Sequence, residues 1–176
     1  ECDWSSDVCS SDLRQQNRLD VLACDAATGE VRTVWTERDA AYVDVRDDFQ
    51  WLQQGAAFFW TGDTDGWRHI RVVPWAGGEA KLLTPGDYDV MAVEYSDVDR
   101  GVLYIAGSDG NATQRYLFSV QEGRATRLSP KDQPGTHTYQ ISGDGSMAIH
   151  TYSSMDNPPV IDLVQLPSHE QIGRAH

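Results

Sequence analysis

The side chains of this sequence that could do chemistry are its histidines, its carboxylates and a few serines. Their spacing decides what each can do. A hydrolase-type serine sits in a Gly-x-Ser-x-Gly elbow, where a strained turn exposes the hydroxyl; no such string occurs. A triad needs nucleophile, base and orienting acid in one site, so no catalytic residue is assigned. His69 follows Arg68 at the start of a β-like run, and the pair reads as a source of structural bonds between strands. His137 lies near a glycine-containing turn and His150 on a predicted strand. Neither has a partner at metal-ligand spacing. The Asp-Gly pairs do not follow the EF-hand loop pattern. They read as hairpin turns, because glycine accepts positive φ at low cost. No metal and no cofactor are therefore expected. Asn111-Ala112-Thr113 is a formal glycosylation sequon, set in a turn and given no role.

Both ends of the chain read as something other than protein design. Asp3-Trp4-Ser5-Ser6-Asp7-Val8-Cys9-Ser10-Ser11-Asp12-Leu13 is a translation of a common sequencing-library adapter, and Ile172-Gly173-Arg174-Ala175-His176 translates its reverse complement. Cys2 and Gln171 fit the adjoining bases. Residues 1–13 and 171–176 are thus expected to be adapter translation and to fall outside fold reasoning. The whole chain carries 14 basic and 27 acidic residues. Without Glu1, Asp3, Asp7, Asp12 and Arg174, the balance is 13 to 23, a net charge of −10. Such a surface repels phosphate backbones and disfavours nucleic acid. Only Cys24 remains in residues 14–170, so no internal disulfide can form there. No run approaches the roughly 20 apolar residues that span a bilayer.

The elements that must position these residues are short strands. Aromatic residues are plentiful, turns are rich in Gly and Asp, and long 3.6-period apolar stretches are absent. Three runs open on arginine: Arg18–Leu22, Arg68–Val73 and Arg115–Val120, with starts 50 and 47 residues apart. Each is followed by a glycine-containing turn and a polar strand ending in a hydroxyl: Val31–Thr36, Lys81–Thr84 and Arg124–Ser129. Between them, turns at Gly55, Gly101 and Gly145 recur at 46 and 44 residues. Each of these turns leads into an apolar strand: Ala56–Thr61, Val102–Ala106 and Met147–Tyr152. A period near 45 residues with four strands is that of a propeller blade. The expected fold is all-β, a partial β-propeller of about three four-stranded antiparallel blades. An open β-sandwich or meander with coincidental spacing would give the same strands.

Three segments carry a family resemblance. Asp65-Gly66-Trp67-Arg68-His69-Ile70 resembles the (D/E)-G-(W/Y)-R-H-(I/L) strand start of the dipeptidyl peptidase IV propeller. Gly135–Gly145 resembles the GTHSxxFSPDG stretch of bacterial members, with Ile141-Ser142-Gly143 standing where Phe-Ser-Pro is commoner. Thr151–Pro159 resembles their TYSxxDxPP stretch. The resemblance implies a propeller that caps an α/β-hydrolase domain in an exported bacterial enzyme. That enzyme would release Xaa-Pro dipeptides through a Ser-Asp-His triad lying downstream. It also implies an acidic Glu pair upstream that holds the substrate's amino terminus; no Glu-Glu occurs here.

In the family, a loop near residues 42–48 reaches into the cavity between propeller and hydrolase. On that ground Tyr42, Asp44 and Arg46 are the candidate substrate-cavity residues, Arg46 to meet a peptide carbonyl or carboxylate. The expected partners are the hydrolase domain, the remaining blades, a peptide substrate and a second copy in a homodimeric parent. A non-enzymatic scaffold propeller would show the same strands and charge, and a sugar-active one would want paired carboxylates across one cavity.

Overall fold

The computed structural model describes residues 2–3, 8–12, 16–44, 49–52, 55–64, 66–97 and 100–174. They form four four-stranded sheets, each with its strands in chain order. The first holds β1 (Cys2–Asp3), β2 (Val8–Asp12), β3 (Arg18–Cys24) and β4 (Val31–Arg38). The second holds β5 (Gln50–Leu52), β6 (Ala57–Thr64), β7 (Trp67–Pro74) and β8 (Lys81–Leu82). The third holds β9 (Val90–Asp97), β10 (Val102–Gly107), β11 (Tyr116–Gln121) and β12 (Arg124–Arg127). The fourth holds β13 (Thr136–Ile141), β14 (Met147–Ser153), β15 (Val160–Gln165) and β16 (Glu170–Arg174). The repeats counted within residues 14–170 gave about three blades. β1, β2 and most of β16, from residues outside that span, complete the first and fourth sheets, which makes the count four. The chain divides into two compact units, Glu1–Asp63 with Arg71–Lys81 and Thr64–Ile70 with Leu82–His176.

In the first unit, β3 alternates as a half-buried strand must. Leu19, Val21 and Ala23 face inward, and Leu19 and Val21 join Val43, Phe58 and Val73 in one core. Aromatic rings close it: Phe49 stacks on Phe58 at 4.7 Å and Trp51 meets Trp75 edge-on at 4.9 Å. The turn from β3 to β4 is set by Asp25, whose carboxylate accepts the N–H groups of Ala27 and Thr28 at 2.9 and 2.8 Å.

In the second unit, β10 is buried along nearly its whole length and pairs with β9 and β11. Tyr104 and Leu117 of the third sheet pack on Tyr139, Ala148, Val164 and Leu166. The hairpin between β13 and β14 is tied by Asp144, whose carboxylate accepts from the Ser142 and Ser146 hydroxyls at 2.6 and 2.8 Å and from the Ser146 N–H. These donors draw its pKa down to about 2. Gly145 sits at φ +70° against the Tyr95 ring, where a Cβ would clash. Arg100 donates to the Asp144 carbonyl at 2.8 Å, joining the turn before β10 to the turn before β14.

Candidate functional site

The loop singled out in the sequence leaves β4 and is built by two local devices. Asp39 accepts the N–H groups of Ala41 (2.7 Å) and Tyr42 (3.1 Å), an Asx turn that reverses the chain. Those two donors hold its carboxyl below the usual range. Val43 then donates its N–H to the Gln16 carbonyl at 2.7 Å and buries its side chain in the core. The anchor leaves Tyr42 and Asp44 outside on either side, Tyr42 about half exposed at 52%. Arg46 lies outside the described residues.

The loop does not stand alone. Tyr42, Val43 and Asp44 line one hollow with Asp39, Glu37 of β4, and Gly62 and Asp63 of β6. Glu37 is the residue sequence reasoning missed. It is half-buried and accepts the Trp60 indole N–H. Burial raises its pKa and the neighbouring Asp63 adds to the rise, while the Trp60 bond and Arg71 oppose it. Gly62 lies directly under its carboxylate, where a Cβ would run into Oε1. A charged residue at the end of an exposed strand carried no signal, because the approach of β6 is tertiary.

The hollow therefore offers four carboxylates and a phenol, and no imidazole among the described residues. Its chemistry is the acceptance of hydrogen bonds. Among the described residues, no group of three His, Cys, Asp or Glu is placed to hold a metal.

The histidines weighed earlier lie elsewhere. His69, His137 and His150 are all fully buried. His69 on β7 meets Tyr88 edge-on at 6.1 Å, and the neighbouring Arg68 N–H donates to Asp89 at 2.9 Å. These are structural contacts, as the Arg68-His69 pair suggested. His137 and His150, placed in the sequence near a turn and on a strand without metal-ligand spacing, bond to each other at 2.8 Å. Their meeting depends on the β13–β14 register, which sets Tyr139 opposite His150 and His137 opposite Tyr152.

Comparison with known proteins bears on what this arrangement belongs to. Residues 1–159 match the family described as the dipeptidyl peptidase IV (DPP IV) N-terminal region. A protein of Neosartorya fischeri named "Probable dipeptidyl peptidase 4" is 28% identical over 161 residues, covering 82% of this chain and 20% of that protein. A dipeptidyl peptidase 4 of Trichophyton equinum is 28% identical over 98 residues, 54% of this chain and 13% of its own length. The chain thus spans about a fifth of the first of these relatives. Those two are fungal, whereas the Gly135–Pro159 resemblance was to bacterial members. The crystal structure of Porphyromonas gingivalis dipeptidyl peptidase 4 superposes with a TM-score of 0.83 at 21% identity, covering 96% of this chain and 24% of that one. The fold is accordingly that of a partial β-propeller, its four sheets being blades. By its match over residues 1–159, the chain belongs to the dipeptidyl peptidase IV N-terminal region family.

Proposed function

We propose that this chain is part of the propeller of a serine-type dipeptidyl peptidase that releases N-terminal Xaa-Pro dipeptides. The part itself is non-catalytic; it gates access and helps bind peptide in the intact enzyme. The observation that carries the reading is the family match along residues 1–159. The sequence holds no Gly-x-Ser-x-Gly string, so on this reading the nucleophile belongs to another domain. The hollow beside Tyr42 and Asp44 is water-sized, and its hydrogen-bond acceptors suit a single donor rather than a length of peptide. On the same reading the parent is exported and homodimeric, and residues 14–170 are propeller flanked by translated adapter.

A further observation supports a blade that stacks on another. Met147, Ile149, Ile161 and Leu163 all point outward from β14 and β15 and are exposed. Ile149 and Leu163 are direct cross-strand partners. A contiguous apolar sheet face of this kind is the surface a neighbouring blade covers.

The test is turnover of a Xaa-Pro chromogenic substrate. The purified chain should give none above host background. The product of the complete parent gene should turn it over and lose activity to a serine-directed phosphonate. Turnover by the chain alone, or none by the complete product, would overturn the reading.

A further inference from the structure

The fourth sheet holds a cluster that the proposed function does not use. His150 on β14 and His169 in the turn before β16 meet the Tyr139 ring, and His137 on β13 meets His150. His137 and His150 lie edge to edge and within 4° of coplanar, their centroids 5.1 Å apart, and the Tyr139 ring stacks on His150 at 4.7 Å. His169 meets His150 edge-on at 4.8 Å and Tyr139 at 5.7 Å. Its backbone is held at φ +57°, in the left-handed region that non-glycine residues occupy at a cost.

A backbone acceptor fixes the proton direction in the His137–His150 pair. The Gln133 carbonyl can only accept, so His137 Nε2 carries a hydrogen and donates to it at 2.8 Å. In the neutral ring, His137 Nδ1 is then the acceptor for the N–H of His150 Nε2 at 2.8 Å. On the other side, the Ser129 hydroxyl oxygen accepts the Leu117 N–H at 2.7 Å. Ser129 and Tyr139 share a bond at 2.9 Å, and Tyr139 meets His169 Nε2 at 2.8 Å. Leu117, Ser129, Tyr139 and His169 Nε2 are thus linked in one hydrogen-bonded chain, in which only the Leu117 N–H has a fixed direction.

The surroundings do not welcome a positive charge. The groups that face the cluster are Tyr139 itself, Tyr116 of β11, Tyr152 of β14, Arg127 of β12 and Asp162 of β15. Arg127 is already cationic and lies 3.4 Å over the Tyr116 ring, which in turn packs on His137. Asp162 is the carboxylate that favours charge on His150 and His169, and it is bonded to Arg174 at 2.8 Å and to Gln171 at 3.1 Å. Neither His137 nor His150 bonds to a carboxylate among the described residues. Burial, the largest cause, depresses all three imidazoles, His150 to about 4.

We propose that this cluster makes the fourth sheet an acid-sensitive latch: neutral imidazoles pack it closed at neutral pH, and mild acidification releases β13–β15 before the third sheet opens. It rests on the geometry of the second unit alone, independently of any peptidase role. The sign follows from proton counting. The folded rings titrate below the ordinary value of 6.5, so the opened state binds more protons. Stability from the cluster is fully present above that value and is lost as pH falls from it toward about 4. His150 alone then makes opening roughly 30-fold easier at about pH 5.

The experiment is amide hydrogen exchange read by mass spectrometry on the complete 176-residue chain, at about pH 7.5 and about pH 5, corrected for intrinsic rates. Peptides over β13–β15 should lose at least about tenfold more protection than peptides over β9–β11. The double variant His150→Gln, His169→Gln keeps an amide donor and acceptor but cannot titrate; its excess loss should shrink to within about twofold. Equal loss in the two sheets, an undiminished loss in the variant, or an unprotected β13–β15 at neutral pH would overturn the proposal. If the variant is itself unprotected at neutral pH, imidazole NMR titration of the unaltered chain decides. Depressed titration coupled to loss of β13–β15 protection supports the latch, and ordinary titration in a still-protected sheet refutes it.

Discussion

Thr84 and Ser129 stand at the same place in successive repeats, and the structure shows why a hydroxyl recurs there. Thr84 Oγ1 accepts the Ile70 N–H at 2.9 Å and Ser129 Oγ accepts the Leu117 N–H at 2.7 Å, both fully buried. The recurrence was legible in the sequence; its purpose was not, because the partner is a backbone group of the strand before. In the first repeat Thr36 donates instead to the Asp20 carboxylate at 2.6 Å. Replacing Ser129 by Ala or Thr84 by Val strands a buried donor and should cost about 1–3 kcal/mol in a denaturant titration. A cost near zero in both would mean these hydroxyls are not what holds the strand ends. Glu37 gives a second prediction. Gly62→Ala pushes its carboxylate off Trp60, and should lower stability by about 1 kcal/mol with a change in tryptophan emission. Because the raised carboxyl binds protons more readily when folded, its charge opposes folding as pH rises. Glu37→Gln should then stabilise the chain slightly at about pH 8, with the gain vanishing toward about pH 4. The opposite slope would show that the carboxylate is favoured where it sits.

At the scale of elements, the arginine-led runs, the glycine turns and the apolar strands of the sequence all appear, with boundaries shifted by one to three residues. Arg18–Leu22 extends to Cys24, and Lys81–Thr84 shortens to a two-residue strand because Thr84 is spent on Ile70. What was not legible is what strands do to one another across a hairpin. The His137–His150 pair depends on register, and the acidic hollow on the approach of β6 to β4. The outer strands are a separate matter. Pairing requires only backbone donors and acceptors, so an unpaired edge such as that of β3 or β15 accepts any extended segment. On the proposed reading of the chain ends as translated adapter, residues 8–12 and 171–174 complete their sheets without having been selected to do so. The outward apolar face of β14 and β15 carries its own prediction. Ile149→Thr with Leu163→Thr should reduce concentration-dependent association of the chain in light scattering. Unchanged association would show that copies adhere through some other surface.

For the whole molecule, the family, the all-β class and the four-strand period were all readable from ordered motifs and spacing. The repeat works because each blade is one local unit whose faces are buried only by its neighbours. The residues proposed for the substrate cavity were less readable. Tyr42 and Asp44 come to one hollow, but with carboxylates from β4 and β6 that no motif announced. The central claim is that this chain is a propeller segment of a larger serine peptidase, and the gene tests it most directly. Reading the uninterrupted source DNA outward from the codons of residues 14–170 should replace both adapter segments with coding sequence. It should also show a Glu pair upstream and a Gly-x-Ser-x-Gly hydrolase domain downstream. A gene that closes its propeller and stops, with no hydrolase domain, would contradict the account and leave a binding scaffold in its place.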